Sequence, residues 1–203
     1  MKTVSDYRAD MLVLLGDSTG RRYSESMLDM GLREALACYR DYFPRKGLIH
    51  GRVIEVRNGS AVVPWLLDES AVVLGVRSEV TGEELNAGCS MEPGHLVVTA
   101  PGKVFTIDEG LIISVSLPHT IKGLDGARET TVPDGHGLLL TNGACGYALR
   151  MRAHSVTEVF GKRPEDREAL AVQAGEMIAD FVRKMERLAL HESFQHDPYP
   201  RRE

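Results

Sequence analysis

Eleven of the 20 glycines in this 203-residue chain fall between positions 47 and 130, leaving nine for the two flanks together. Glycine weakens helices and supplies the left-handed backbone of tight turns. A central segment this rich in it therefore reads as short strands joined by turns, with flanks free to form long helices.

The flanks carry the matching periodicity. Val4, Met11, Leu12 and Leu15 fall near helical spacing and stop at Gly16, after which Asp17-Ser18-Thr19-Gly20 reads as a turn. From Ser24, a good N-cap, the apolar positions Leu28, Leu32, Ala35, Leu36, Tyr39 and Phe43 form one stripe that Pro44 ends. Arg22, Glu25, Asp29, Arg33, Glu34 and Arg40 lie between them as a solvated face. Towards the C-terminus, Pro164 occupies a first helical position, with Glu165, Asp166 and Glu168 at the positive end of the dipole. Leu170, Ala174, Met177, Ile178, Phe181, Met185 and Leu188 follow at helical spacing. Another helix is expected from Asp134 to Ser155, where Leu138, Cys145 and Leu149 accompany Gly143, Ala144, Gly146 and Ala148. Each glycine there costs about 1 kcal/mol relative to alanine, so a close approach by the last helix is expected to compensate.

Gly51 to Arg57 meets Ser60 to Val63 across Asn58-Gly59, a strong hairpin signal. Ala71 to Val80, His95 to Ala100, Val104 to Ile107 and Leu111 to Leu117 add short apolar or alternating runs, broken by turns such as Pro101-Gly102-Lys103. Two helices, several antiparallel strands and two more helices make an α+β chain. The expected plan is a helical bundle with an antiparallel β-rich insertion: N-terminal bundle helices over 1–46, the insertion over 47–130, C-terminal bundle helices over 131–190, and an extended docking tail over 191–203.

Composition excludes several classes. A chain of this length buries roughly 70% of its unfolded surface, enough for a core without disulfide or metal staples. Cys38, Cys89 and Cys145 are widely spaced, with no Cys-x-x-Cys, and read as small buried hydrophobes. The histidines are scattered, and His191 and His196 do not share a helix face, so neither a metal nor another cofactor is expected. No apolar run reaches the ~20 residues that cross a bilayer, and Met1 to Asp6 lacks a signal core, so the expected setting is a reducing cytoplasm without membrane contact. With 24 Lys+Arg against 29 Asp+Glu, a net charge of −5, the chain is not built to grip phosphates.

Gly16-Asp17-Ser18 looks like the nucleophile block of the SGNH (GDSL-type) hydrolases, and Asp134-Gly135-His136 resembles their Asp-x-x-His block with one residue too few. A Gly-x-Asn-Asp block is missing, and a serine without a placed base and oxyanion donors is not a nucleophile. An esterase using Ser18 is therefore the enzyme alternative to a non-enzymatic protein. Gly16 to Gly20 is followed by Arg21-Arg22 rather than the Lys-Ser/Thr of a phosphate-binding loop. Trp65 reads as a core or sheet-edge anchor. Two features point to partners instead. Ile121, Leu124 and Asp125 sit in a loop expected to be exposed, a candidate contact with a neighbouring subunit or another partner. Phe194, Tyr199, Arg201 and Arg202 place aromatic and arginine anchors in the tail, with Pro198 and Pro200 bracketing Tyr199.

Two blocks together resemble the head-to-tail connector (adaptor, or head-completion) proteins of tailed bacteriophages. The first runs from Leu14 to Thr19 and Tyr23 to Leu28, then Leu32 to Leu36 and Tyr39-Arg40-Asp41-Tyr42-Phe43-Pro44. The second comprises His119-Thr120-Ile121, Gly123 to Ala127, Thr130 to Pro133, Leu138-Leu139-Leu140, and Gly143 to Ala148 with Arg152-Ala153. The resemblance implies a structural virion protein of the neck, assembled in the host cytoplasm. Its copies would form a ring, usually dodecameric, beneath the portal protein. The tail would dock on the portal, a stopper or other tail-side neck protein would follow, and double-stranded DNA would pass the lumen without specific binding. A stopper or tail-terminator ring is the alternative within that class.

Overall fold

The computed structural model describes residues 1–67, 71–155 and 164–195. The chain is mixed α+β, with four α-helices and two antiparallel sheets among the described residues, and separates into two compact units. One is helical and draws on both ends of the chain, Met1–Phe43 and the residues from His119 onward; the other is Pro44–Pro118. The β-rich insertion expected over 47–130 is thus shorter at its C-terminal side, and residues 119–130 belong with the helices.

The helical unit contains α1 (Val4–Leu14), α2 (Glu25–Tyr42), α3 (Gly137–Ser155) and α4 (Pro164–Gln195). Thr3 and Asp6 form a reciprocal capping box at the start of α1, and the Ser24 hydroxyl accepts from the Met27 N–H at 3.2 Å to open α2. Arg8 joins these two helices, donating to Asp29 through Nε and Nη2 at 2.8 and 2.7 Å and to Glu25 through Nη1 at 2.7 Å. The anticipated stripe of α2 is inward, with Leu28, Leu32, Ala35, Leu36 and Tyr39 buried. Helix α3 packs against each of the other three helices, and its small residues are the reason. A Cβ on Gly143 would lie 2.6 Å from the Phe181 ring, one on Gly146 2.9 Å from Ile178, and one on α2's Gly31 2.6 Å from the Ala144 carbonyl oxygen. Close approach of α3 and α4 therefore rests on the glycines singled out from the sequence. Leu138, placed on the packed face by periodicity, is instead exposed, as is Leu188 at the far end of the α4 stripe.

Among its described residues the β unit has eight strands in two four-stranded sheets. They are β1 (Arg45–Arg52), β2 (Glu55–Arg57), β3 (Ser60–Pro64), β4 (Val72–Ser78), β5 (Glu84–Leu85), β6 (Gly88–Glu92), β7 (His95–Thr99) and β8 (Gly110–Leu117). One sheet has the order β1-β8-β4-β5 and the other β2-β3-β7-β6, every pairing antiparallel. Val53, Val63, Leu96, Val98, Leu111, Ile113 and Val115 form the core between them. The run read as one strand from Gly51 to Arg57 is broken at Val53-Ile54. Val53 exchanges backbone bonds with Glu109 and Asp108, whereas the Ile54 N–H donates to Val62, so the chain changes sheets there. The Asn58-Gly59 turn forms as expected, with φ of 50° and 82° at its two residues. Val104 to Ile107 is irregular rather than a strand, and Val104 and Ile107 are exposed. Strand β6 was not anticipated. Its signal is Pro93-Gly94, which turns the chain directly into the alternating run of β7 with Gly94 at φ 73°.

Candidate interaction surfaces

The loop expected to present Ile121 and Leu124 to a partner turns them inward. Ile121 is fully buried and Leu124 is 4% exposed, both within the helical core beside Val132. Backbone hydrogen bonding explains the reversal. The Lys122 carbonyl accepts from the Val4 N–H at 2.9 Å, and the Thr130 hydroxyl accepts from the Lys122 N–H at 2.9 Å while donating to the Lys2 carbonyl at 2.6 Å. The strap is thereby sewn to the start of α1, and its apolar side chains have only the core to enter. Asp125 does reach the surface, at φ 51°, and is held by Arg33 through Nε at 2.9 Å and Nη2 at 2.6 Å. That hydrogen-bonded guanidinium, outweighing a small desolvation effect, keeps the Asp125 carboxyl below its ordinary pKa. Ile121 and Leu124 are core anchors, so of the three only Asp125 is available to a neighbour.

The strap also closes the base of the insertion within the helical unit. His119 Nε2 lies 2.7 Å from the carbonyl oxygen of Phe43, tying the residue that leaves the unit to the one that re-enters it. His119 Nδ1 meets the Thr131 hydroxyl at 3.2 Å. Tyr39 stacks on Phe43 with centroids 4.7 Å apart, and its hydroxyl contacts His136 Nδ1 at 2.6 Å. Sequence reasoning missed this cluster, because its members are up to 97 positions apart and no periodicity links them.

The same cluster separates the parts of the hydrolase alternative. His136 sits against Tyr39 and Phe43 at the C-terminal end of α2, whereas Ser18 is exposed in the turn that precedes the N-terminal end. Glu25 and Tyr39 are 14 positions apart on this 18-residue helix, which at ~1.5 Å per residue puts about 20 Å between them. The buried group in that turn is Asp17. Its carboxylate accepts from the backbone N–H of Arg22 at 2.7 Å and of Tyr23 at 3.0 Å, and from the Thr19 hydroxyl at 3.2 Å. Burial alone would raise its pKa, but these donors outweigh it and the carboxyl stays below its ordinary value. The turn is a structural knot tied by Asp17, with Ser18 outside it.

No family model matches the chain, and no curated protein matches it.

Among the described residues, no helix is long and apolar enough to cross a membrane. Of the cysteines, Cys145 is buried as expected, Cys38 is half-buried, and Cys89 is exposed on β6, an edge strand, contrary to the reading of all three as interior.

Of the proposed docking residues, Phe194 lies on α4, which continues to Gln195, so residues 191–195 are helical rather than the start of an extended tail. Tyr199, Arg201 and Arg202 lie outside the described residues. Upstream of them, a groove of about 440 Å³ is lined by Leu138, Leu139 and Asn142 of α3 and Lys184, Arg187 and Leu188 of α4. Leu138 and Leu190 are 62% and 60% exposed. Lys184 is paired with Asp180 at 2.6 Å. This end of the helical unit therefore offers apolar surface beside cations, the composition of a protein interface.

Proposed function

We propose that the protein is the adaptor of a phage-like neck, a non-enzymatic virion component whose copies ring the portal and continue the DNA channel. The observation that carries the reading is the division of the chain: a helical unit assembled from both ends, its entry and exit points tied by His119 and Phe43, with a complete β unit inserted between them. The connector resemblance leads one to expect a helical bundle bearing a β-rich insertion, and a helical unit interrupted by a β unit supports that reading. The exposed leucines and Arg187 at the end of α4 favour docking on the portal through that helix and the tail beyond it. A net charge of −5 suits a wall past which DNA slides.

The test is binding to the portal protein of the same particle. Removing residues 196–203 should leave helical content and thermal unfolding unchanged while abolishing addition of a ring to the portal in negative-stain images. Leu190→Glu should weaken addition in the full chain. Undiminished ring addition by both variants would overturn the docking assignment; failure of the intact protein to add any ring would overturn the adaptor reading itself.

A further inference from the structure

We infer that the groove between the first turns of α3 and the later turns of α4 is a receptor for an acidic amphipathic helix, which brings one apolar anchor and a carboxylate one turn from it. The inference rests on the adaptor reading above, in which that helix belongs to the portal, and it names the chemistry the portal presents.

One wall is Leu138 and Asn142 on α3, four positions apart and so on one face, with the buried Leu139 beneath them. The other is Lys184, Arg187 and Leu188 on α4, neighbours at helical spacing. Leu138 to Asn142 and Lys184 to Leu188 each span four positions, ~6 Å of helix. That is about one turn, which sets the size of what fits. Two helices side by side leave a groove that a third helix fills with its own ridge of side chains.

The charges around the groove say which helix. Three cations of α4 share one carboxylate: Asp180 receives Lys184 at 2.6 Å and has Arg183 at 3.7 Å. The Lys184 hydrogen bond first, with the charges of Arg183 and Arg187 adding, holds the Asp180 carboxyl below its ordinary pKa. Arg187 makes no ion pair among the described residues. Glu186, two positions on from Lys184, is on another face of α4. Helix α3 has no Asp or Glu in its sequence, and Asp134, beside Gly135 at the groove, is taken up by the Met1 amino group at 3.4 Å. The positive end of the α3 dipole lies at the same place. The groove thus keeps an excess of positive charge in a chain whose net charge is −5. An acidic helix seats its anchor against Leu138 and Leu188 and its carboxylate on Arg187, while the remaining acidic surface repels it, so charge fixes where it docks.

The test is a titration of the full chain with a labelled helical peptide whose leucines have glutamates one turn away, against the same peptide with lysines in place of the glutamates. The glutamate peptide should bind about tenfold more tightly, and its affinity should fall with added salt. Arg187→Glu should abolish that preference, adding Lys184→Glu should reverse it, and Arg187→Lys should keep it. Leu138→Asn should weaken both peptides. All four variants should keep the parent's helical dichroism, since these side chains lie at the surface. A lysine peptide that binds as well as the glutamate one, or a preference untouched by Arg187→Glu, overturns the proposal. On the portal, Lys184→Glu with Arg187→Glu should cut ring addition about tenfold. A ring added undiminished by that variant would reject this groove and leave the adaptor reading standing; glutamate-peptide binding by a protein that never adds to the portal would do the reverse.

Discussion

The helical unit and the β unit bury their cores by opposite means. In the β unit, strand alternation sends Val63, Leu96, Val98, Ile113 and Val115 into one layer, and the side chains themselves fill the space. In the helical unit, backbones come close because side chains are missing: Gly143 and Gly146 receive Phe181 and Ile178, and Gly31 lies against the Ala144 carbonyl. A core built from side chains can adjust when one changes, whereas a backbone contact cannot move without moving a helix. The two units should therefore differ in how they tolerate substitution. They can be followed separately, since Trp65, the only tryptophan, is buried in the β unit, while helical circular dichroism reports the other.

The largest effect is expected from Phe181→Ala, which empties a fully buried site facing Gly143. The loss should be about 3–5 kcal/mol, seen as early unfolding at 222 nm with Trp65 emission still blue-shifted. Trp65 unfolding in step with the helices would break the distinction between the units. Gly31→Ala comes next. Alanine gains helix propensity of about 1 kcal/mol, yet its methyl would sit 2.6 Å from a main-chain oxygen. Overpacking of that kind costs about 1–3 kcal/mol, so a net loss is expected, and a variant more stable than the parent would show that α2 and α3 can separate freely.

What could be read in advance follows the same division. Elements with local signals were legible: the α2 stripe, Ser24 as its cap, the Asn58-Gly59 turn, and small residues on α3 that needed a close neighbour. What escaped were decisions made by partners far away in sequence. The break at Val53-Ile54 is set by Glu109, Asp108 and Val62, and the inward turn of Ile121 and Leu124 by hydrogen bonds to Lys2 and Val4. Residues 119–130 carry glycine like the strands, and so were grouped with them, though tertiary bonding assigns them to the helices. Among the candidate site residues, exposure was misjudged wherever a polar loop carried apolar side chains. The burial of Asp17 has a faint sequence signal, an aspartate opening a turn with a hydroxyl two residues on.

Asp17 sharpens the comparison through pH. Its carboxyl titrates below its ordinary value in the folded protein, so its contribution is present above the unfolded pKa and fades as pH falls through the folded one. Asp17→Asn should lower the melting temperature at pH 7 and shrink the difference between variant and parent as the solution is acidified below pH 4. The change should appear in helical dichroism before Trp65 fluorescence. A variant with an undiminished gap in acid would remove the ionised carboxylate from the account. In the β unit, Gly59→Ala should cost about 1–2 kcal/mol, because alanine is strained at a φ of 82°. Nothing lies within 4 Å of the added methyl, so the loss is conformational and should appear first in Trp65 emission.

The smallest effect is expected from Arg33→Ala. The Arg33–Asp125 pair has good two-point geometry, but its side chains are 45% and 58% exposed, and solvent screens most of what the hydrogen bonds gain. Exposed pairs contribute about 0.2–1 kcal/mol in double-mutant cycles, and the cycle of Arg33→Ala with Asp125→Ala should return a coupling in that range that falls with added salt. Asp125→Asn keeps the shape and removes the charge, so it should match Arg33→Ala at pH 7. The positive φ of Asp125 adds a separate expectation: Asp125→Gly should recover part of the loss by relieving a left-handed backbone that asparagine and aspartate tolerate and glycine adopts freely. A coupling well above 1 kcal/mol would mean that this ion pair, rather than Ile121 and Leu124 beneath it, holds the strap on the helical unit, and the strap would then owe its place to its surface instead of to the core.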